Sequence, residues 1–403
     1  MATLSAAVRR GFFTLRVGLG AALLLLTATH VMADPIVVNC DQGQSLNQTI
    51  ARLNKHIPAT VLVKGTCTEF VTVYGFDGLT LKGLPGATLQ QPGTNPGNGL
   101  LILLLFIGAS RSITVDGLAI HSGAPAVAGI GIGQNSIDVR LRNLTFDGTG
   151  VFGIMAFEGS QVSLAGVTVR NPGFAGIGIF DVSDVHIEQC LFEDTTGSLG
   201  DFGLSVASGH VTMQSTTIHN MQVGIDVEEH GSVDIGSFAT YFPVSANPDV
   251  VIDSPAGTNL QGARVLGGSA LNLEDAKLRI TNPGQTSGGN TAGVWVSEGS
   301  SLSDYSGNLV VSGSHGQGVF VSNNSQASLT GSSITGSNHG GLVVANLSTI
   351  AVGTGPNPLT QVSGNAMDLF CDSKSVITGR SNIAGASSFS CGNLLLGDTE
   401  PIP

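Results

Sequence analysis

A four-residue phrase recurs along the chain and decides the fold: GIGI at 129–132, GIMA at 153–156, GIGI at 176–179, GLSV at 203–206 and GIDV at 224–227. It continues as GARV at 262–265, GVWV at 293–296, GVFV at 318–321 and GLVV at 341–344. Alternating apolar segments such as QVSL at 161–164 follow the phrases, and Gly, Asn, Asp and Ser punctuate them. Short strands that repeat in this way predict the turns of a stacked solenoid.

The regions before the regular phrases predict an irregular start and a cap. Residues 61–120 read as early coils, and residues 34–60 as an N-terminal cap with a short amphipathic helix from Ser45 to Asn54. Such a cap covers strand edges that a solenoid end would expose. Connections between parallel strands are right-handed by strong preference. We therefore predict an all-β, single-stranded right-handed parallel β-helix over residues 61–403 with an N-terminal capping helix.

The predicted core is one stack of apolar phrase residues. The side chains expected inside are Ile130, Ile154, Ile177, Leu204, Ile225, Val294, Val319 and Leu342. Two other folds are less consistent with the pattern. A leucine-rich repeat needs fixed Leu and Asn positions that are missing, and an antiparallel sandwich would not repeat with this period.

The cap helix, Val61–Thr66, Cys67 and the long run of phrases resemble the pectate-lyase-like right-handed β-helix superfamily, the pectin lyase fold. The resemblance covers nearly all of the chain after residue 33. It implies the fold but not an activity, because this fold hosts lyases, hydrolases, epimerases and adhesins. The N-T-D, D-D, G-H-G and R-I-K set of polygalacturonases and the D-P-H-D motif of alginate epimerases are missing. No specific enzyme family is matched.

Residues 1–33 predict a secretory signal peptide. Three arginines precede an apolar run from Val17 to Ala28, and V-M-A at 31–33 supplies small residues for cleavage. A membrane anchor is the alternative, although the run is short for a span, and the paired arginines leave the twin-arginine route open. We expect a secreted or periplasmic protein with no membrane span in the mature chain. Removing the three arginines changes the formal net charge from −12 to −15, which argues against nucleic acid as a partner.

Four of the five cysteines lie near the ends of the predicted helix. Cys40 and Cys67 are predicted to pair near the N-terminus, and Cys371 and Cys391 near the C-terminus, as disulfides that fasten the two ends. Cys190 is expected to be a free, buried apolar residue. The cysteine spacing does not indicate a metal site.

The middle residue of each phrase is expected to point outward, because side chains alternate along a strand. This row comprises Gly131, Met155, Gly178, Ser205, Asp226, Arg264, Trp295, Phe320 and Val343. A second outward row, two residues further on, includes Phe157, Phe180, Ala207 and Glu228. Stacking places equivalent residues of successive coils about 4.8 Å apart.

The outward rows supply the candidate site. Asp226, Glu228 and Arg264 are the candidate catalytic residues, since carboxylates beside an arginine suit acid–base chemistry; a surface ion pair is the alternative. The candidate substrate-binding residues are Trp295, Phe320, Phe180 and Phe157, with packing under a loop as the alternative. The longest step between phrases, 38 residues from Gly224 to Gly262, predicts a loop near Phe238–Asn259 beside this face.

A further polar row follows the phrases where the chain turns: Gln134, Glu158, Asp181, Ser208, Glu229, Gly267, Glu298, Asn323 and Asn346. We interpret it as a row of turn residues, with calcium binding by Glu158 and Asp181 as an alternative. No other cofactor and no metal site is predicted. The histidines are interpreted as scattered turn or surface residues without a constellation.

The expected function is that of an exported β-helix protein that interacts with an extended polysaccharide or a cell-surface glycan, without a recognisable catalytic motif. One alternative is a polysaccharide lyase or glycoside hydrolase acting on a cell-wall or matrix polysaccharide. Another is a structural or adhesive rod. The residues do not decide whether the protein is an enzyme.

Overall fold

The computed structural model describes residues 34–93, 102–122, 127–148, 150–196, 202–236, 248–254, 261–283, 291–353, 359–392 and 394–395. The signal peptide expected at residues 1–33 lies outside them. The described strands form three long parallel sheets of 13, 15 and 13 strands, here called sheets 1, 2 and 3 in the order in which a coil passes through them. Each strand pairs with the equivalent strand of the preceding and following coils, which is the predicted parallel β-helix.

Sheet 1 contains the recurring phrase. Its strands are β4 (Val71–Tyr74), β7 (Leu103–Gly108), β10 (Ala128–Gly133), β13 (Phe152–Ala156), β16 (Ala175–Ile179), β19 (Phe202–Ala207), β22 (Val223–Glu228), β25 (Gln261–Val265), β28 (Ala292–Val296), β31 (Gln317–Val321), β34 (Gly340–Val344), β37 (Met367–Cys371) and β40 (Phe389–Cys391).

Sheet 2 follows sheet 1 in each coil. Its strands are β1 (Ile36–Asn39), β2 (Ala59–Lys64), β5 (Asp77–Gly83), β8 (Arg111–Asp116), β11 (Ile137–Arg142), β14 (Gln161–Ala165), β17 (Asp184–Glu188), β20 (His210–Gln214), β23 (Ser232–Ile235), β26 (Ala270–Leu273), β29 (Ser301–Asp304), β32 (Gln326–Leu329), β35 (Thr349–Val352), β38 (Val376–Thr378) and β41 (Leu394–Leu395).

Sheet 3 closes each coil with short strands. They are β3 (Thr66–Thr68), β6 (Thr88–Gln90), β9 (Ala119–His121), β12 (Thr145–Asp147), β15 (Thr168–Arg170), β18 (Leu191–Glu193), β21 (Thr217–His219), β24 (Val250–Asp253), β27 (Leu278–Thr281), β30 (Leu309–Ser312), β33 (Ser333–Thr335), β36 (Thr360–Ser363) and β39 (Ile383–Ala384). One α-helix (α1, Leu46–Ala51) and two 3₁₀ turns (Cys40–Gln42 and Arg380–Asn382) complete the described elements.

The predicted core stack is confirmed. Ile130 pairs with Ile154, Ile154 with Ile177, and the series continues through Leu204 and Ile225. The eight predicted core side chains are fully buried and belong to one continuous apolar cluster. In-register stacking of apolar side chains therefore forms a single core along the described coils.

Each phrase begins with glycine because another side chain occupies the space a β-carbon would need. A β-carbon on Gly153 would lie 2.6 Å from Cγ1 of Val169, an inward residue of sheet 3, and 2.6 Å from the carbonyl oxygen of Gly176. On Gly224 it would lie 2.6 Å from Cγ2 of Ile252. The first glycine of each phrase therefore lies at the corner where sheet 3 packs closely against sheet 1.

The polar row that follows the phrases is the corner between sheets 1 and 2, as interpreted. Its non-glycine residues have φ between 52° and 60°: Gln134, Glu158, Asp181, Ser208, Glu229, Glu298, Asn323 and Asn346. This left-handed conformation turns the chain sharply and favours short polar side chains. Hydrogen bonds between neighbouring coils support it, such as that from the Gln134 backbone N–H to the Glu158 carboxylate at 3.0 Å.

The two predicted disulfides are present. Cys40 is bonded to Cys67 and Cys371 to Cys391, with Cα atoms 5.0 and 4.5 Å apart, while Cys190 is free and buried. Near the first bridge, α1 begins after Ser45, whose hydroxyl accepts from the Gln48 backbone N–H, and it is shorter than predicted. None of the helices in the described residues is both long and apolar enough to span a bilayer.

The structure corrects two boundaries. Parallel pairing begins before residue 61, because β1 pairs with β2; Ile36–Asn39 therefore belongs to the stack and not only to a cap. The expected loop at Phe238–Asn259 is interrupted by β24, whose Val250 and Ile252 are fully buried. The rest of the expected loop, at residues 238–247 and 255–259, lies outside the described residues.

Candidate functional site

The outer surface of sheet 1 carries aromatic rings on several coils, on both sides of Asp226 and Arg264. We call it the aromatic face, defined by Phe106, Phe152, Phe157, Phe174, Phe180, Phe202, Trp295 and Phe320. The ring centroids of Phe152 lie 5.4 Å from Phe174 and 5.7 Å from Phe180, and Phe174 lies 4.9 Å from Phe202. With Met155, Leu103 and buried alanines, most of these rings form a second apolar cluster, separate from the core.

Glycines allow the rings to lie close to the sheet. A β-carbon on Gly178 would lie 2.7 Å from a Phe152 ring carbon and 2.8 Å from a Phe180 ring carbon. A β-carbon on Gly133 would lie 2.5 Å from a Phe157 ring carbon. The outward glycines therefore provide space for the rings, and the aromatic face is a low surface rather than a set of protruding side chains.

Asp226, Glu228 and Arg264 lie together on this face. Arg264 donates from Nε to Asp226 Oδ1 at 2.7 Å, and from Nη2 to Asp226 Oδ2 and Glu228 Oε1 at 2.9 Å each. The guanidinium carbon also lies 5.4 Å from the ring centroid of Phe202. The strand register accounts for the pairing, because Asp226 and Arg264 are direct neighbours on β22 and β25. The ion pair is thus a fixed polar group within the aromatic face.

Burial changes the acidity of both carboxyl groups. Asp226 is 3% exposed, and burial raises the pKa of Asp226 even though the hydrogen bond from Arg264 acts in the opposite direction. Burial, followed by repulsion from Asp226, raises the pKa of Glu228. Since the Glu228 side chain is 41% exposed, it is the carboxyl of this pair that a ligand could reach.

Trp295 and Phe320 extend the face beyond the ion pair. Arg264 pairs with Trp295 in the sheet register, and Trp295 with Phe320. The two rings are stacked, with centroids 6.3 Å apart and an angle of 15° between their planes. At the other end Phe106 and Phe157 are likewise stacked at 6.5 Å. From Phe106 to Phe320 the middle row crosses eight coil steps, roughly 38 Å at sheet spacing.

The outward row is not exposed throughout. Met155, Ser205, Asp226 and Val343 all point outward but are at most 9% exposed. Met155 belongs to the apolar cluster of the rings, and Asp226 is hydrogen-bonded to Arg264. Phe152, Phe174 and Phe202 were missed by the sequence analysis. The signal was present in the aromatic residue directly before the glycine of two phrases, Phe152-Gly153 and Phe202-Gly203.

The interpretation of the histidines as scattered was wrong. On the outer surface of sheet 2, His210 Nδ1 lies 2.8 Å from Asp184 Oδ1 and His210 Nε2 lies 3.0 Å from Asp234 Oδ2. His186 Nδ1 is hydrogen-bonded to Thr212 Oγ1. Asp184 and His210 are register partners on β17 and β20. We call this surface the ladder face, defined by Arg140, Asp184, His186, His210 and Asp234.

The ladder face is held by its own charges. The hydrogen bonds with Asp184 and Asp234 raise the pKa of His210 to about 10, so both ring nitrogens donate at neutral pH. Burial lowers the pKa of His186. A shallow pocket of about 450 Å³ lies beside these residues, lined by Arg140, Arg142, Gln161 and Ser163 among others. Because the carboxylates and imidazoles bond to one another, to Thr212 and to Asn272, the ladder is a structural network.

Calcium binding by Glu158 and Asp181 stays a prediction. Among the described residues, one group of three His, Cys, Asp or Glu side chains has its ligand atoms within 4.8 Å of one another: Cys40, Cys67 and Glu69. Both sulfurs are used in a disulfide, and Glu69 accepts hydrogen bonds from Ser45 and the backbone of Leu46 at the start of α1.

Comparison with known proteins agrees with this architecture. Residues 104–238 match the family described as "Right handed beta helix region". No curated protein sequence gives a significant match. The matched region and the three parallel sheets identify the chain as a right-handed parallel β-helix protein, as the sequence predicted, without assigning it to a narrower family.

Several solved structures are similar at low identity. Alginate lyase from Paenibacillus sp. str. FPU-7 is 9% identical, with 90% of this chain and 99% of that chain covered and a TM-score of 0.44. Tailspike protein 3 of bacteriophage CBA120 is 11% identical, with 85% and 57% covered and a TM-score of 0.48. The Family 28 exopolygalacturonase of Yersinia enterocolitica is 12% identical, with 92% and 79% covered and a TM-score of 0.28.

Proposed function

We propose that this protein is an exported glycan-binding β-helix whose aromatic face takes an extended polysaccharide chain. The observation that carries the proposal is the low aromatic surface formed where Phe157 and Phe180 lie over outward glycines. Sugar rings have flat faces of C–H groups, and these pack on aromatic rings by apolar contact and dispersion. A contiguous group of partly exposed aromatic rings is typical of a binding site.

The length and direction of the aromatic face favour a polymer over a single sugar. Aromatic rings occur on both sides of the ion pair, from Phe106 to Phe320. The coil repeat of about 4.8 Å is close to the length of one sugar residue in an extended chain. A chain along the stack would thus meet equivalent positions in successive coils. Glu228 would accept hydrogen bonds from sugar hydroxyls, since its side chain is partly exposed while Arg264 holds it in place.

Export supports a partner outside the cytoplasm. Two disulfides fasten the ends of the described stack, and such bonds persist in oxidising compartments. Together with the secretory pattern of residues 1–33, they support a secreted or periplasmic location. A cell-surface or matrix glycan is a partner that fits both this location and the aromatic face.

The test is binding of purified protein to a panel of polysaccharides by affinity electrophoresis and calorimetry. Phe180→Ala should weaken binding at least tenfold, because it removes a ring from the centre of the aromatic face. Tyr305→Ala is the matched control, since Tyr305 is 66% exposed and follows a strand of sheet 2. Equal affinity of both variants and the parent protein would reject the proposal.

A catalytic role at the same face is the second candidate. It is favoured by Glu228, a partly exposed carboxyl whose pKa is raised by burial and by Asp226, as a general acid requires. The same panel, followed by reducing-sugar release and by absorbance of unsaturated products, detects a hydrolase or a lyase. A catalytic Glu228 predicts that Glu228→Gln abolishes turnover while binding is retained. A binding protein would give no product with either form.

A further inference from the structure

The charges on the aromatic face indicate which class of glycan it can accept. Arg264 is the one Lys or Arg in the strands of sheet 1 described here. Its three hydrogen bonds are made to Asp226 and Glu228, and one face of its guanidinium lies over Phe202. With two carboxylates for one guanidinium, the ion pair keeps a net negative charge and offers no free cation.

The edge of the same face adds more negative charge. Glu158, Asp181, Glu229 and Glu298 lie at the left-handed corner where the strands of sheet 1 end. Glu229 and Glu298 contribute to raising the pKa of Glu228, after burial and Asp226. Among the charged neighbours that act on Glu228, Arg264 is the one that favours its ionised form. The electrostatic potential along this part of the face is therefore negative.

Resting on the proposed function, we infer that the aromatic face binds an uncharged glycan and excludes polyuronates. A uronate carboxylate laid on these coils would lose water without gaining a cation, and it would be repelled by Glu228 and by the corner residues. A neutral chain avoids both the loss of carboxylate hydration and the repulsion. It can stack on Phe and Trp rings and donate hydrogen bonds from its hydroxyls to Glu228, and neither contact requires a charge on the ligand.

The first experiment compares glycans that share a backbone and differ in charge. Hydroxyethyl-cellulose is paired with carboxymethyl-cellulose, and methyl-esterified with de-esterified homogalacturonan, each with EDTA and with calcium. The inference predicts at least tenfold tighter binding of the neutral member of any pair that binds. Tighter binding of the carboxylated member, with or without calcium, would overturn the inference and leave glycan binding standing. Absence of binding to every probe, including neutral glucans and mannans, would reject the proposed function itself.

The second experiment reverses the charge of the face. Asp226→Asn combined with Glu228→Gln frees Arg264, and it should shift the affinity ratio at least tenfold toward the carboxylated member. Glu228→Gln alone, at the more exposed carboxyl, should shift the ratio in the same direction by a smaller factor. It serves as the test if the double variant is unstable.

The matched control removes the same charge from another sheet. Asp147 and Glu193 flank Arg170 in the register of sheet 3, and Arg170 pairs with Glu193. Asp147→Asn with Glu193→Gln therefore frees an arginine away from the aromatic face while changing the net charge equally. It should leave the ratio unchanged. An equal shift in both double variants would mean that net charge, and not the aromatic face, controls selection.

Discussion

The aromatic face on sheet 1 and the ladder face on sheet 2 meet at one corner of the coil, and different contacts join their successive coils. On the aromatic face, glycines let rings such as Phe180 lie along the sheet, and the buried Asp226 is ion-paired with Arg264. On the ladder face, Asp184, His210 and Asp234 bond to one another from coil to coil and remain partly exposed. Both surfaces stabilise the stack through register, but only the first keeps apolar surface available to a ligand.

The largest expected difference between the faces is in stability. Arg264→Met would leave Asp226 buried without its partner, which costs about 3–5 kcal/mol of the free energy of unfolding at neutral pH. Arg140→Met would break a pair whose side chains are 47% and 42% exposed, and such pairs contribute about 1 kcal/mol or less. Urea unfolding of both variants at pH 7 checks this.

The pH dependence of the stability of Arg264→Met tests whether the lost stability comes from the unpaired Asp226 carboxylate. Because burial raises the pKa of Asp226, acid should neutralise the unpaired carboxyl and restore part of the lost stability. Similar losses for the two arginine variants at pH 7, or no recovery of Arg264→Met in acid, would mean that the ion pair on the aromatic face is not desolvated as described.

The next effect concerns the glycines under the rings. Gly178→Ala places a methyl group against Phe152 and Phe180, so the rings must tilt away from the sheet. We expect glycan affinity to fall about tenfold, equivalent to about 1.4 kcal/mol. Ser163→Ala makes a comparably small change on sheet 2, and calorimetry should show unchanged affinity. If Gly178→Ala binds as tightly as the parent protein, the low position of the rings is not what the ligand requires.

A smaller effect is the pH response of the ladder face. The folded-state pKa of His210, about 10, lies above the ordinary value near 6.5. The stability that His210 contributes is therefore complete below about pH 6.5 and is lost as pH rises toward 10. Since the side chain is 42% exposed, we expect about 1 kcal/mol.

The measurement is the melting temperature between pH 6 and 10. His210→Gln should remove part of the decline seen in the parent protein, whereas His339→Gln, at an exposed histidine, should leave it intact. A decline of the same size in all three proteins would show that His210 does not supply it.

The smallest expected effect is that of salt on binding. Salt screens and so weakens the attraction between charged groups, but ring stacking and hydrogen bonds to sugar hydroxyls do not depend on a charged ligand. Affinity for a neutral glycan should therefore change less than twofold between 50 and 500 mM NaCl. A steep loss of affinity with salt would point to a charged ligand or to the ladder face.

The fold could be predicted further than the site. The inward residues of the phrase repeat in every coil, so Ile130, Ile154 and Ile177 could be aligned without a structure. The two disulfides followed from the position of the cysteines near the ends. The phrase repeats along the chain and the paired cysteines lie near its ends, so both features can be recognised in one sequence.

The ladder was missed because it belongs to a less regular strand. Asp184 and His210 align only when the second strand of each coil is placed in register, and that strand has no invariant glycine to mark it. Only part of the aromatic face was predicted, because only part of it occupies a fixed position after the phrase. Phe157 and Phe180 follow the phrase, whereas Phe152 and Phe202 precede its glycine and reach the same surface from the start of the strand.

Fluorescence of Trp295 reports directly on whether a glycan binds to the aromatic face, because Trp295 is the only tryptophan of the protein and lies on that face beside Phe320. Titration with the glycan that binds in the panel should shift or quench its emission, and the titration curve should give the dissociation constant found by calorimetry. Phe320→Ala should weaken that response. Binding by calorimetry with unchanged Trp295 emission would mean that the ligand binds elsewhere, which would contradict glycan binding along the aromatic face.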